Sequence, residues 1–299
     1  MSKILKISLI FVVFSQIKCE SPVLPIVLWH GMGDTCCFPF SLGHFKKTLE
    51  AEIPNVYVRS IEIGGNIFKD FESGYFIHPM HQLDQVCESL TKDPKLKNGF
   101  HAVGFSQGGL FLRTLQQNCP GPLPMRNLIS FGGPQQGVFG LPACPSLTSK
   151  TCEYLRESLN FAAYTSYMQD YLVQATYWHD PLHEEKYRNF SSFLAYFNGE
   201  TSVTFTEAIY NLQQLQKLVL VKFLNDTIVV PRESEWFGFY RPGQDKEVVG
   251  MEETRVFKED LMGLKKMKEN GQLVMLATEG DHLQFTKEWF MENILPYLK

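Results

Sequence analysis

The sequence predicts an α/β fold, a mostly parallel central sheet flanked by helices. Two observations carry this reading. Short, β-branched apolar runs recur along the chain, each closing on glycine or a polar turn, and segments with apolar residues at three- and four-residue spacing lie between them. Continuous apolar runs mark strands covered on both faces, as parallel sheets require. The alternation of strand, turn and helix is the rhythm of right-handed crossovers.

The expected strands are Val23–His30 ("VLPIVLWH"), His101–Phe105, Leu128–Phe131, Lys217–Leu224 ("KLVLVKFL") and Leu273–Ala277 ("LVMLA"). The expected helices are Phe45–Ile53, His81–Thr91, Gly108–Asn118 and Phe285–Leu298. From about Leu141 to Gln216 the alternation breaks. That stretch is rich in Phe, Tyr and Leu at helical spacing and holds no convincing strand. It reads as a helical insertion over one end of the sheet, its aromatics serving either as core packing or as a ligand lining.

Composition narrows the function classes. Hydrophobic residues make up 44% and charged residues 20% of the 299, with no block of either charge, which is the profile of an ordinary globular protein. A net charge of −4 without Lys/Arg clusters argues against nucleic acid as a partner. Lys3 and Lys6 precede the apolar run Ile7–Phe14, and a short polar tail ends at Cys19. This is the layout of a secretory signal peptide, and the run is too short to span a bilayer. Cleavage after residue 19 would remove three lysines and take the charge from −4 to −7. Residues 20–299 are then expected to form one domain that includes the 141–216 insertion, with no transmembrane segment.

Six cysteines would remain: Cys36, Cys37, Cys87, Cys119, Cys144 and Cys152. An even number in an oxidising compartment suggests three disulfides, with about fifteen pairings open. Zinc is the rival reading, but paired C-x₂-C units and a matching His pair are missing. Asn189-Phe190-Ser191 and Asn225-Asp226-Thr227 are N-glycosylation sequons, in keeping with secretion.

Gly104-Phe105-Ser106-Gln107-Gly108 matches the G-x-S-x-G nucleophile elbow, with an apolar strand before it and an amphipathic helix after it. An alcohol is a weak nucleophile near neutral pH, so Ser106 needs a base to take its proton and an acid to orient that base. In an elbow architecture these follow as acid and then histidine, each just beyond a strand. Asp226 and His282 occupy those places. Among rivals, His101 lies on the elbow strand, and His78, His81, His179 and His183 are expected at the surface. Asp281 adjoins His282 and is badly placed to reach its ring, and Glu279 is a substitute acid. The tetrahedral intermediate needs two backbone donors at its oxyanion. Gln107 supplies one, and the glycine-rich loop His30-Gly31-Met32-Gly33-Asp34 points to the Met32 amide as the other.

At this point the residues resemble a known family. "LWHGMGDTCC", "AVGFSQGGLFLR", "ISFGGPQQGVFGLPAC", "YWHDPLHEEKYRN", "VKFLNDTIVVPRESEWFGFY" and "LATEGDHLQF" look like signature stretches of the palmitoyl-protein thioesterases, and they cover nearly the whole mature chain. The resemblance implies an α/β-hydrolase that removes long-chain fatty acyl groups from cysteine thioesters of S-acylated proteins or peptides. It carries the nucleophile onto Ser106, the acid onto Asp226 and the base onto His282, with oxyanion donors at Met32 and Gln107. It also implies the disulfides Cys36–Cys37, Cys87–Cys119 and Cys144–Cys152, glycosylation at Asn189 and Asn225, and delivery to the lysosome. Val230 stands where the family often has an acidic residue. The expected chemistry is two-step acyl transfer needing no metal or organic cofactor, with the insertion supplying an apolar groove for the acyl chain. A secreted lipase or carboxylesterase shares the triad, and a catalytically silent lipid-binding protein shares the fold.

Overall fold

The computed structural model describes residues 23–140, 161–203 and 206–299. The segment read as a signal peptide, and Cys144 and Cys152, lie outside the described residues.

Six strands form one parallel sheet. They are β1 (Ile26–Trp29), β2 (Val58–Ser60), β3 (Phe100–Phe105), β4 (Met125–Phe131), β5 (Lys217–Phe223) and β8 (Leu273–Thr278), in the order β2-β1-β3-β4-β5-β8. Strands β6 (Phe239–Tyr240) and β7 (Val248–Val249) make a small antiparallel ribbon beside it. The four expected helices are present as α1 (Leu42–Glu52), α3 (Pro79–Thr91), α4 (Gln107–Asn118) and the C-terminal helix Lys287–Asn293. A further helix, α2 (Ile67–Phe76), fills the connection from β2 to α3.

Alternate strand residues point to opposite faces, and each face carries its own core. Val27, Trp29, Ala102, Leu128, Leu218 and Leu220 face α3, α4 and the helices after residue 160. Ile26, Leu28, Val103, Phe105, Ile129 and Val221 face α1 and the C-terminal helix. The five expected strands appear within a few residues of their expected bounds. One departs in environment: β8 is an edge strand with Met275 39% exposed, so its apolar run is covered less fully than a buried strand would be.

Other elements depart from the sequence reading. β2 has three residues at the opposite edge, and β6 and β7 have two each, too few for any periodicity to emerge. The last expected helix breaks after Asn293 and resumes as the 3₁₀ turn Leu295–Tyr297. Pro296 lacks the N–H that a continuous α-helix would need.

The described part of the insertion contains only short helices, such as Ser166–Tyr171, Val173–Thr176 and Glu184–Phe190, with one isolated bridge, Val138 to Trp178. Buried polar side chains tie it to α4. Arg113 donates to Gln135 Oε1 (2.7 Å), Gln117 Oε1 (2.9 Å) and Asn198 Oδ1 (2.9 Å). Gln116 and Gln117 donate to the carbonyls of Asn211 and Phe197 at 2.8 and 3.0 Å. Burial without a carboxylate partner lowers the Arg113 pKa to about 9, which leaves it cationic near neutral pH.

The sheet order reverses between β1 and β3, and in open α/β sheets ligands bind beyond the carboxyl ends of the strands at such a switch point. Packing there is very close. A Cβ on Gly104 would stand 2.4 Å from the Gly108 carbonyl oxygen, and one on Gly108 would stand 2.4 Å from the carbonyl oxygens of both Trp29 and His30. Gly108→Ala is therefore expected to destabilise the protein by about 3 kcal/mol or more, because only backbone is available to move. Gly250→Ala, where nothing lies within 4 Å of the added carbon, should stay within about 0.5 kcal/mol of wild type. Urea unfolding of the two variants checks the contrast.

Candidate active site

Ser106 links β3 to α4 in a left-handed backbone conformation, φ 52° and ψ −123°. Few L-residues tolerate such angles without support from their surroundings. Here the support is local: the Ser106 amide donates to the Phe131 carbonyl at 2.7 Å, and the Gly109 amide donates to the Ser106 carbonyl at 2.9 Å. The serine is thereby pinned against the end of β4.

His282 reaches the same place from the loop after β8. Its ring lies against Gly132, the residue after Phe131, where an added Cβ would stand 3.0 Å from Cε1. His282 Nδ1 and Asp226 Oδ2 are 2.5 Å apart. The other Asp226 oxygen accepts the amides of Ile228 (2.7 Å) and Val229 (2.8 Å). Burial opposes ionisation of Asp226, but the hydrogen bonds and the charge of His282 prevail and hold its carboxyl below the usual carboxylate range. Among the described residues the Ser106 hydroxyl and the imidazole make no direct hydrogen bond, yet both line one open cavity of about 740 Å³. Such contacts are often long in unliganded enzymes and tighten when substrate binds.

Asp281 behaves as its position implied. It accepts the His282 amide at 2.7 Å and the Thr227 amide at 2.9 Å, so it joins the two loops and leaves the ring to Asp226. Glu279 is exposed. His101 is buried, its Nδ1 has no hydrogen-bond partner, and burial lowers its pKa to about 4, so it stays neutral. His179 corrects the sequence reading, which placed it at the surface. It is buried, stacks on Tyr187 and Phe239 at centroid distances of 3.8 and 4.1 Å, and pairs with Glu184 at 3.0 Å.

The family model for palmitoyl protein thioesterase matches residues 25–282. The chain belongs to the palmitoyl-protein thioesterase family. It is 43% identical to "Palmitoyl-protein thioesterase 1" of Caenorhabditis elegans over 97% of both chains. To "Palmitoyl-protein thioesterase 3" of Dictyostelium discoideum it is 34% identical over 98% of both. It is 28% identical to "Lysosomal thioesterase PPT2" of Homo sapiens, covering 86% of this chain and 80% of that one. With its parallel sheet, serine turn and paired loops, this member of the family has the α/β-hydrolase fold.

Met32 and Gln107, the expected oxyanion donors, both adjoin Ser106: Gln107 follows it in the chain, and Met32 lines the same cavities. Gln107 opens α4, and the first amides of a helix have no intrahelical acceptor. Met32 sits in the loop after β1, and a Cβ on the preceding Gly31 would come within 3.1 Å of Ser106 Cβ. That loop is held by Asp70, which sequence reasoning missed. Asp70 is fully buried in α2; its Oδ1 meets His30 Nε2 at 3.1 Å and the Ile63 amide at 2.7 Å, and its Oδ2 accepts the Cys36 amide at 2.8 Å. Cys36 and Cys37 form a disulfide, as do Cys87 and Cys119.

A second cavity, of about 250 Å³, also meets Ser106 and Met32. The insertion contributes Ala163, Leu172, Gln174, Ala175, Tyr177 and Trp178 to its wall, and Val138 and Val229 lie among the rest. Gln174 fixes that wall to the site by donating to the Gly74 carbonyl at 3.0 Å.

Two groupings among the described residues have metal-ligand geometry. Cys36 and Cys37 of the first are consumed by their disulfide. The second is Asp226, Glu235 and His282, with one candidate atom from each inside 4.8 Å. Burial, hydrogen bonding and the adjoining Asp226 charge push the Glu235 carboxyl up to about 10. A protonated acid is a poor ligand, since metal binding requires deprotonated donors.

The His30–Asp70 pair links the site to pH. Burial disfavours the imidazolium, but the hydrogen bond and charge of Asp70 outweigh it and raise the His30 pKa above 6.5. A raised folded-state pKa stabilises the protein fully below the unfolded value and loses effect as pH rises through the folded one. The His30 contribution to the melting temperature should therefore be lost as pH rises above about 6.5, and His30→Gln should flatten the slope there. Thermal unfolding across the range checks it.

Proposed function

We propose that this protein hydrolyses long-chain fatty acyl thioesters of cysteine in S-acylated proteins or peptides, through a Ser106–His282–Asp226 triad. The observation that carries the reading is that Ser106 lines two unlike cavities, one smaller and more apolar than the other. The narrow apolar one receives the acyl chain. The open one holds His282, which must protonate the departing thiolate, so the acylated peptide lies on that side.

His282 takes the Ser106 proton as Oγ attacks the thioester carbonyl, with the Met32 and Gln107 amides donating to the oxyanion. The C–S bond then breaks and His282 returns the proton to sulfur. Water, deprotonated by the same imidazole, releases the fatty acid from the acyl-enzyme. Asp226 fixes the tautomer and stabilises the imidazolium.

Residues 1–19 direct the chain into the secretory pathway, with lysosomal delivery in keeping with the relatives named as lysosomal thioesterases. The mature chain is one domain including the 141–216 insertion. Asn189 and Asn225 are both exposed, as glycosylation requires. Among the described residues no helix is long and apolar enough to cross a membrane.

The test is hydrolysis of an S-palmitoyl peptide against the matched oxyester. The thioester should be preferred, and Ser106→Ala should reduce kcat by about 10⁴-fold or more. A preference for the oxyester would replace the reading with a lipase or carboxylesterase, and no loss on Ser106→Ala would remove the nucleophile. Ala175→Phe, which fills the apolar cavity, should lower kcat/KM for palmitoyl more than for butyryl substrates. Each excluded methylene costs up to about 0.8 kcal/mol, roughly fourfold.

A further inference from the structure

Glu235 is a buried acid that the two-step acyl transfer leaves without a role. It sits in the 3₁₀ turn Arg232–Trp236 after β5 and is 1% exposed. Its Oε2 accepts the Phe223 amide at 2.9 Å, while Oε1 is buried with no hydrogen-bond partner. One oxygen of this carboxyl lies within 4.8 Å of an oxygen of Asp226 and a nitrogen of His282.

Two carboxyls this close in a dry site cannot both ionise. Asp226 has two backbone amides and the imidazole to favour its anion, whereas Glu235 has a single amide. The proton therefore belongs to Glu235. A carboxylate offers about four acceptor positions. Ile228, Val229 and His282 occupy three on Asp226, and the acid is buried away from water.

We infer that Glu235 is a positioning residue for the triad: its neutral carboxyl donates a hydrogen bond to Asp226, holding that carboxylate ionised and aimed at His282. The inference rests on the triad reading above. Its value of about 10 agrees with the proton placement. The other charged groups nearby are Lys222 on β5, whose ammonium lies 4.1 Å from the Trp236 ring centroid, and Asp281, which faces the Thr227 and His282 amides. Arg232 and Glu233 of the same turn pair with each other at 3.6 Å nearer the surface.

The neutral donor can be imitated. Glu235→Gln keeps an acceptor for Phe223 and an N–H donor for Asp226, so its kcat should stay within about threefold of wild type. Glu235→Leu removes the donor. Its kcat should fall about tenfold with little change in KM, the scale of one hydrogen bond to a charged group. A less neutralised Asp226 stabilises the imidazolium, so the acid limb of the pH–rate profile should move up by about half a unit to one unit. Unshifted profiles in both variants, with melting temperature alone reduced, would make Glu235 merely structural and overturn the inference. So would a shift in Glu235→Gln equal to that in Glu235→Leu. If Glu235→Leu fails to fold, infrared difference spectroscopy of wild type against Glu235→Gln decides: the carboxylic-acid C=O band must be present at neutral pH and vanish in the variant, and its absence from wild type refutes the protonated donor. Ser106→Ala run in parallel separates the two claims, since an active Ser106→Ala defeats the triad, while an inactive one with unshifted Glu235 profiles defeats only the role of Glu235.

Discussion

The arrangement depends on one close contact: the end of β1 against the start of α4, with Gly108 backbone where any other residue would bring a side chain. This approach lets the chain turn sharply at Ser106 and keeps the serine at positive φ. It also brings the loop after β1 beside Ser106, so that the serine and both proposed oxyanion amides come from one junction. The strain at residue 106 is sustained because β1, β3, β4 and α4 all constrain it.

Around that junction the electrostatics are set by buried acids with different companions. Asp70 has a histidine and two amides, and it anchors the loop carrying Met32. Asp226 has a histidine and two amides, and it holds the His282 ring. Glu235 has one amide and a neighbouring carboxylate, and so it holds a proton. Similar side chains thus reach different protonation states through their partners, the means by which active sites divide acid and base roles.

The insertion supplies part of the apolar cavity beside Ser106. Its short helices line that cavity, while Gln174 and the buried amide network of α4 hold them in place. Arg113, cationic and surrounded by neutral partners, extends that network from α4 to Asn198.

The five long strands, the elbow and the acid and histidine beyond β5 and β8 were legible in the sequence, since each is a local pattern: an apolar run, a glycine spacing, a polar residue closing a strand. The edge strand β2 and the β6–β7 ribbon were not, being too short to show a period. Asp70, Glu235 and His179 escaped for another reason. Each stands in an unremarkable local context, Asp70 being 40 residues from His30 and His179 lying in what reads as a surface loop. A single carboxylate or imidazole in a sequence has no stated partner, and its burial, charge and proton are fixed only when distant segments meet. The order of the chain determined which residues could do chemistry at the carboxyl edge of the sheet. Only the fold decided which acid carries the proton and which cavities meet the serine, because both follow from dielectric surroundings and contacts across the whole length of the chain.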